Sequence, residues 1–407
     1  MATERAPLPP GVPPLRTLYV YLTGGCNLAC RHCWLTPSFH PDGGTGGHLS
    51  VELFERALDE AIPLGLQGVK LTGGEPFLHP DTLRLVDILK DRKVSLTIET
   101  NGTLVTPELA QALRERSTLN FISVSIDGSR AEIHDPFRGV VGSFERAVDG
   151  ARALVAAGYR PQVIMSLHTG NVDDIEPLVR MAEGLGAGSV KFNLVQPCGR
   201  GEQLTDAGQV LSIERLIELG RWVERELQPR CSVSLHYSWP MAFYSLKRLA
   251  NDNLGVCGIY TILGVLPAGQ LAMCGIGEVI PELCYGQLGV DNLADVWASH
   301  PMLVDLRKTV PGRLEGICAR CLVRGSCLGN CLANNYHHAR SLSAPFWFCA
   351  QAEAAGLFPP SRLVPPPASQ GVDNLQPGRS GSSLTSRNCE AEPLSASLSS
   401  RCVGRRK

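Results

Sequence analysis

The sequence predicts an α/β protein in which repeated βα units fold as a parallel sheet or partial barrel, followed by a cysteine-rich second domain. Three observations carry this expectation. Short β-branched runs alternate with amphipathic helical stripes from about residue 15 to 225. The 15 cysteines fall in tight clusters rather than evenly. The chain has 407 residues, 44% hydrophobic and 19% charged, enough to bury a core in two compact domains.

A proline-rich lead-in, residues 1–14, precedes the first strand. Six strands are expected at Thr17–Leu22, Gly68–Leu71, Val94–Glu99, Phe121–Ile126, Gln162–Leu167 and Ser189–Leu194, each short and apolar as buried parallel strands are. The segments between them carry the helical period. Val51, Phe54, Leu58, Ala61 and Ile62 make one stripe, with Ser50 placed to cap its start; Leu83, Val86 and Leu89 make a second, and Phe144, Ala147, Val148 and Ala151 a third. These units define a domain over 15–225.

Over 226–357 the pattern breaks, apolar runs shorten and most remaining cysteines appear, as in a domain supported by metal. Gly258–Val265 and Gln270–Met273, joined through Pro267-Ala268-Gly269, read as a hairpin. From 358 to 407 the chain turns to Pro, Ser, Gly and Arg without apolar period and is expected to be a disordered tail, in which Cys389 and Cys402 are free thiols.

A formal net charge of −1 gives no electrostatic reason to expect a nucleic-acid or anionic-lipid partner. No segment approaches the roughly 18 to 20 apolar residues of a membrane span, and residues 1–14 lack a basic stretch followed by an apolar run, so the expected location is cytoplasmic. In a reducing compartment clustered cysteines read as metal thiolates before they read as disulfides.

The first cluster is Cys26, Cys30 and Cys33, within Gly24-Gly25-Cys26-Asn27-Leu28-Ala29-Cys30-Arg31-His32-Cys33-Trp34 at the end of the first strand. There is no fourth thiol nearby. Structural zinc wants four ligands in a closed tetrahedron, whereas an iron-sulfur cubane on three thiolates leaves one iron open to an exogenous ligand. Gly73-Gly74-Glu75-Pro76 follows the second strand, where parallel α/β folds place ligands, and Glu99-Thr100-Asn101-Gly102 closes the third. The fourth ends Ser123-Val124-Ser125-Ile126-Asp127-Gly128 and is followed by His134-Asp135-Pro136-Phe137-Arg138-Gly139.

The C-x3-C-x2-C spacing with Trp34 behind it, and these strand ends in this order, resemble the radical SAM (S-adenosylmethionine) superfamily. The resemblance implies a [4Fe–4S] cluster on Cys26, Cys30 and Cys33, with SAM held by Trp34, Gly73, Gly74, Glu75, Pro76, Asn101, Ser125 and Arg138. Arg138 suits the SAM carboxylate, since its planar cation can donate two parallel hydrogen bonds. His134, in the same loop, reads as a surface or hydrogen-bonded histidine rather than a catalytic one.

Cys318-x2-Cys321-x5-Cys327-x3-Cys331 and Cys349, preceded by Cys257 and Cys274, resemble the SPASM extension of that superfamily, which holds auxiliary iron-sulfur clusters. The fold so implied is a partial (β/α)6 TIM-like barrel with a C-terminal SPASM domain. By the family's arrangement Cys318, Cys321, Cys327 and Cys349 enclose one auxiliary [4Fe–4S] cluster, and Cys257, Cys274 and Cys331 hold a second. The second set is one ligand short, with Cys284 a possible substitute or the iron left open. Cys198 and Cys231 read as ordinary buried thiols, with Cys198, just after the sixth strand, kept as a minor candidate at the active mouth. Zinc remains the alternative for the whole framework.

The implied activity is reductive cleavage of SAM to a 5′-deoxyadenosyl radical that abstracts hydrogen from a peptide, the chain being a maturase that installs a crosslink in a ribosomally made peptide. A low-potential donor such as flavodoxin or ferredoxin would supply the electron. Many such maturases carry an N-terminal winged-helix recognition module, whereas here the first strand begins at Thr17, so recognition is expected from elsewhere, either a separate peptide-recognition protein or the second domain. Tetrapyrrole or quinone cofactor biosynthesis and anaerobic sulfatase maturation are the alternatives within the class; outside it stand a multi-cluster electron carrier and a zinc-binding protein.

Overall fold

The computed structural model describes residues 8–250 and 257–365. The first half of the lead-in and the tail beyond 365, with Cys389 and Cys402, lie outside the described residues. The main sheet has ten strands: β1 (Thr17–Tyr21), β2 (Gly68–Thr72), β3 (Ser95–Thr100), β4 (Leu119–Ser125), β5 (Gln162–Leu167), β6 (Ser189–Leu194), β7 (Ser234–Tyr237), β8 (Ile262–Val265), β9 (Gln270–Ala272) and β10 (Cys284–Gln287). Their order is β10-β9-β8-β1-β2-β3-β4-β5-β6-β7.

Every pairing from β8 through β1 to β7 is parallel, so the C-terminal ends of eight strands share one edge. The sheet does not close on itself: β7 and β10 are its two ends. The six strands expected from the sequence are all present, two with the expected bounds, and form β1 to β6.

The helices pack as their stripes require. Val51–Ala61 buries Val51, Phe54, Ala57, Leu58 and Ala61, and the Ser50 hydroxyl accepts from the Leu53 amide at 3.2 Å, a cap worth about 1 kcal/mol. In Thr82–Asp91 the buried stripe is Thr82, Leu85, Val86 and Leu89, which leaves Leu83 half-buried on its flank.

The cysteine-rich segment shares its sheet with the βα units. The expected hairpin is β8-β9, turned by Gly269 at φ +87°, and β8 pairs in parallel with β1, Thr17 opposite Ile262. Two further ties hold the parts together: the Trp297 indole donates to the Pro13 carbonyl at 2.8 Å, and Glu60 accepts from the Leu293 amide at 2.8 Å. Ordered structure continues eight residues into the segment assigned to the tail, because Phe358 is buried and the Arg362 guanidinium donates to the Tyr244 carbonyl at 3.0 Å. Among the described residues no helix is long and apolar enough to cross a membrane.

Candidate active site

The cysteine loop hangs from the C-terminal end of β1 and is fixed by backbone on three sides. Gly25 and Cys26 pair with Ser38 and Phe39. The helix Ala131–Arg138 docks its last carbonyls on the loop, Ala29 donating to the Arg138 carbonyl at 3.1 Å and Arg31 to that of Phe137 at 2.9 Å. On the third side the strand end after β2 presses so close that a Cβ on Gly74 would fall 1.7 Å from the Gly25 carbonyl oxygen. This contact explains the glycine: no side chain fits between the two loops.

Cys26 and Cys30 are buried and Cys33 half-buried. Burial, the Glu75 carboxylate and the other two thiols push the Cys26 thiol up to about 12, and burial raises Cys30. Donors already face the sulfurs: the Leu28 amide lies 3.4 Å from Cys26 Sγ, the Asn101 carboxamide 3.8 Å from the same atom, and Arg138 Nη1 3.6 Å from Cys30 Sγ. Clustered thiols that resist ionisation alone, ringed by donors that favour sulfur anions, fit an iron-sulfur cluster whose cationic iron makes up the difference.

The loop forms one wall of a chamber of about 840 Å³, open at the C-terminal edge of the sheet. Trp34, Gly73, Gly74, Asn101, Ser125 and Arg138 line it with the three cysteines. Glu75 and Pro76 stand behind that wall. Glu75 is fully buried and braces two strand ends, accepting from Thr100 Oγ1 at 2.7 Å, the Asn101 amide at 2.8 Å and the Phe77 amide at 3.2 Å. Burial raises its carboxyl to about 7.

Several working residues were not legible in the sequence. Asp127 is buried beneath Arg138, accepting from its Nε at 2.6 Å, and the two side chains are 0% and 7% exposed. Arg200, just after β6, donates to the Cys30 carbonyl at 3.1 Å and to that of Pro37 at 2.7 Å, clamping the loop from the far side. The Gly199-Arg200-Gly201 run after a strand end was the available signal. His134 is buried, its Nδ1 accepting from the Asp127 amide at 3.1 Å, and burial lowers it to about 4. Of the two readings the sequence leaves open, surface or hydrogen-bonded, the structure shows the second.

The later cysteines form two groups. Cys318, Cys321, Cys327 and Cys349 line one small cavity beneath Phe358, and burial together with the other three thiols raises Cys349 well above its usual range. Cys257, Cys274 and Cys331 line the large chamber instead. Cys331 neighbours both Cys257 and Cys274, and burial raises the Cys274 thiol. Between Cys327 and Cys331 the backbone takes three consecutive left-handed residues, Leu328 at φ +55°, Gly329 at +76° and Asn330 at +61°. For the two that are not glycine this costs on the order of 1–2 kcal/mol each. The turn separates Cys327, which lines both cavities, from Cys331, which lines the large chamber, and such strain concentrates at functional sites.

A family model described as the radical SAM superfamily matches residues 20–182. Mycofactocin maturase MftC of Mycobacterium ulcerans is 30% identical over 360 residues, covering 85% of this chain and 90% of that protein. The chain belongs to the radical SAM superfamily. It is an enzyme of the SPASM type, and the superfamily brings with it a [4Fe–4S] cluster and SAM as cofactors. The AdoMet-dependent heme synthase of Methanosarcina barkeri is 29% identical over 334 residues, covering 77% of this chain and 90% of that protein. The crystal structure of Streptococcus suis SuiB bound to precursor peptide SuiA shares the fold, with a TM-score of 0.63 at 18% identity over 83% of this chain and 76% of SuiB. The strand Ile262–Val265, at the start of the segment that carries the later cysteines, is joined to β1 of the βα units by the β1-β8 pairing.

Proposed function

We propose that this radical SAM enzyme is a peptide maturase that installs a crosslink through hydrogen abstraction at an unactivated carbon. In this reading Cys26, Cys30 and Cys33 hold the [4Fe–4S] cluster that binds SAM, while Cys318, Cys321, Cys327 and Cys349, and the set around Cys331, hold auxiliary clusters. The observation that carries it is the single chamber of about 840 Å³ that touches both the N-terminal cysteine loop and Cys257, Cys274 and Cys331. A substrate seated there would lie between a site of radical initiation and a site able to accept an electron.

When bound, the cluster and SAM supply a carbon radical that takes one hydrogen atom from the substrate; the protein's share is to hold and shield the reactants. Gly73 and Gly74 let the backbone approach the methionine end of SAM. Arg138, held by Asp127, offers a fixed cation to its carboxylate, and Asn101 and Ser125 line the same wall. Across the chamber the basic side chains of Lys191 and Arg248 face the cavity, a place suited to a carboxylate of the substrate.

The likeness to a maturase of the mycofactocin system and the fold shared with a peptide-bound enzyme support a peptide substrate. The likeness to a heme synthase and the cationic wall support a tetrapyrrole acid as a second reading. Anaerobic reconstitution, reduction with dithionite or flavodoxin, and incubation with SAM and candidate short peptides tests both. The maturase reading expects 5′-deoxyadenosine together with a peptide lighter by two hydrogen atoms. Turnover of a porphyrin precursor with none of any peptide would replace it with the second reading, and no SAM cleavage at all would sink both.

A further inference from the structure

We propose that Lys191 selects the charge of the substrate: with Arg248 it forms a two-point clamp that admits peptides presenting a carboxylate. The inference rests on the reading that a peptide occupies the large chamber, and it deepens that reading by naming the chemistry the peptide must carry and the residue that demands it.

The place of Lys191 in the sheet is a costly one for a lysine. β6 lies inside the run of parallel strands, between β5 and β7. Its side chains alternate: Val190 and Phe192 are buried on one face, while Lys191 and Asn193 line the chamber on the other. A strand in this position ordinarily reads as an apolar run, because an ammonium loses hydration there. Lys70 of β2 meets the same difficulty with partners from the chain itself, its Nζ lying 3.1 Å from Glu99 Oε1 and 4.1 Å from the centre of the Tyr19 ring. Among the described residues, no ion pair or hydrogen bond reaches the Lys191 ammonium.

The charges around the chamber do not balance. Glu99 is the one carboxylate among the described residues that line it, and Lys70 already holds it. The cations on the same lining are Arg138, Lys191 and Arg248. Arg138 is matched by Asp127 at 2.6 Å, whereas Lys191 and Arg248 have no counter-ion within salt-bridge distance among the described residues. The Arg248 guanidinium stacks on the Tyr244 ring at 3.6 Å, which covers one face of its plane and leaves the N–H edge for a planar acceptor. His236 stands opposite Lys191 in the register of β6 and β7, and the charges that act on its ring are Arg248 and Lys191. Burial lowers the Lys191 ammonium from its ordinary value and Glu99 opposes that shift. A carboxylate brought by the substrate favours the charged form in the same way.

The carboxylate can come from the C-terminus of the peptide or from an aspartate or glutamate side chain. Both present the same planar pair of oxygens to an ammonium with three donors and to a guanidinium that donates two parallel hydrogen bonds. SAM is not its source in this arrangement. The proposed methionine end of SAM faces Gly73, Gly74 and Arg138 beyond the ends of β2 and β4, whereas Lys191 stands three residues before the end of β6, about 10 Å back along the strand from that rim.

The test uses the full chain, reconstituted anaerobically with iron and sulfide and supplied with SAM, and two pools of random pentapeptides at physiological ionic strength, one with free C-termini and one amidated. Peptides retained with the protein on ultrafiltration are identified by mass spectrometry. The parent should enrich free over amidated termini about tenfold where the C-terminus is the source, or aspartate and glutamate within the amidated pool by the same factor where a side chain is. Lys191→Met should abolish the enrichment and Arg248→Gln should reduce it several-fold. Lys191→Glu should turn the preference towards lysine, arginine and amidated termini, and its retention of those peptides shows that the variant is folded. Lys191→Arg should keep most of the parent's selection. Retention by the parent that is indifferent to carboxylates, or the same enrichment in the parent, Lys191→Met and Lys191→Glu, overturns the proposal. A parent that retains no peptide from either pool removes the peptide reading itself, a distinct failure that takes the proposal with it.

Discussion

Arg138 donates from Nε to Asp127 Oδ2 at 2.6 Å while its Nη1 reaches to 3.6 Å from Cys30 Sγ, so one buried carboxylate holds the cation that faces the cluster loop. Asp127 itself is fixed by the Ser166 amide at 2.7 Å. Removing one member of a buried pair leaves the other charge uncompensated, typically at about 3–5 kcal/mol. Asp127→Asn, which keeps the acceptor for Ser166, should therefore lower unfolding free energy by that order in urea titration. Asp149→Asn, at an exposed pair with Arg152, should change it little. Equal small effects at both positions would show that the Arg138 cation does not depend on Asp127.

Glu75 gives a pH signature. Burial, the largest influence, raises its carboxyl to about 7 despite three donors on it. A carboxyl raised in the folded state binds more protons there than in the unfolded chain, so its contribution to stability declines as pH rises from about 4.5 to 7. Glu75→Gln keeps a neutral acceptor between Thr100 and Asn101 and removes the titration. The difference in stability between Glu75→Gln and the parent should therefore move in the variant's favour between pH 5 and pH 8. Urea unfolding at the two pH values measures it, and a difference independent of pH would place the Glu75 carboxyl in its ordinary range.

The pattern of legibility follows from how local each signal is. β1 to β6 and the stripe on Val51–Ala61 declare themselves through period alone, and the three-cysteine loop through spacing. β7, Ser234–Tyr237, reads Ser-Leu-His-Tyr, a polar–apolar alternation too short and too poor in apolar residues to stand out as the buried strands do, and its pairing with β6 makes it a strand. The pairing of β8 with β1 joins Ile262 to Thr17 across most of the chain and leaves no local trace. At the site, residues that belong to motifs were legible while their supports were not. Asp127 belongs to a quoted strand end, yet its ion pair with Arg138 depends on how the helix Ala131–Arg138 folds back. Arg200 acts on carbonyl groups, which no side-chain pattern encodes.

Arg200 yields the last prediction. Its guanidinium donates from two nitrogens to two carbonyls of one loop, Cys30 and Pro37, while its own amide donates to the Cys33 carbonyl at 3.0 Å. Hydrogen bonds from a charged donor contribute roughly 1.5–3 kcal/mol. Here that energy restrains the segment between two proposed cluster ligands rather than the core, so its loss should appear as local loosening. Arg200→Ala should fold with the parent's far-ultraviolet dichroism and lose cluster absorbance to a chelator several-fold faster. It should also cleave SAM about tenfold more slowly, since small displacements of a positioned centre reduce rate steeply. Arg200→Lys retains the charge but not the planar fork that spans both carbonyls, and should fall between the two. The order parent, lysine, alanine in chelator resistance is the decisive readout: a lysine variant indistinguishable from the parent would mean that charge alone matters, and three equal rates would mean that the loop is held by its backbone contacts without Arg200.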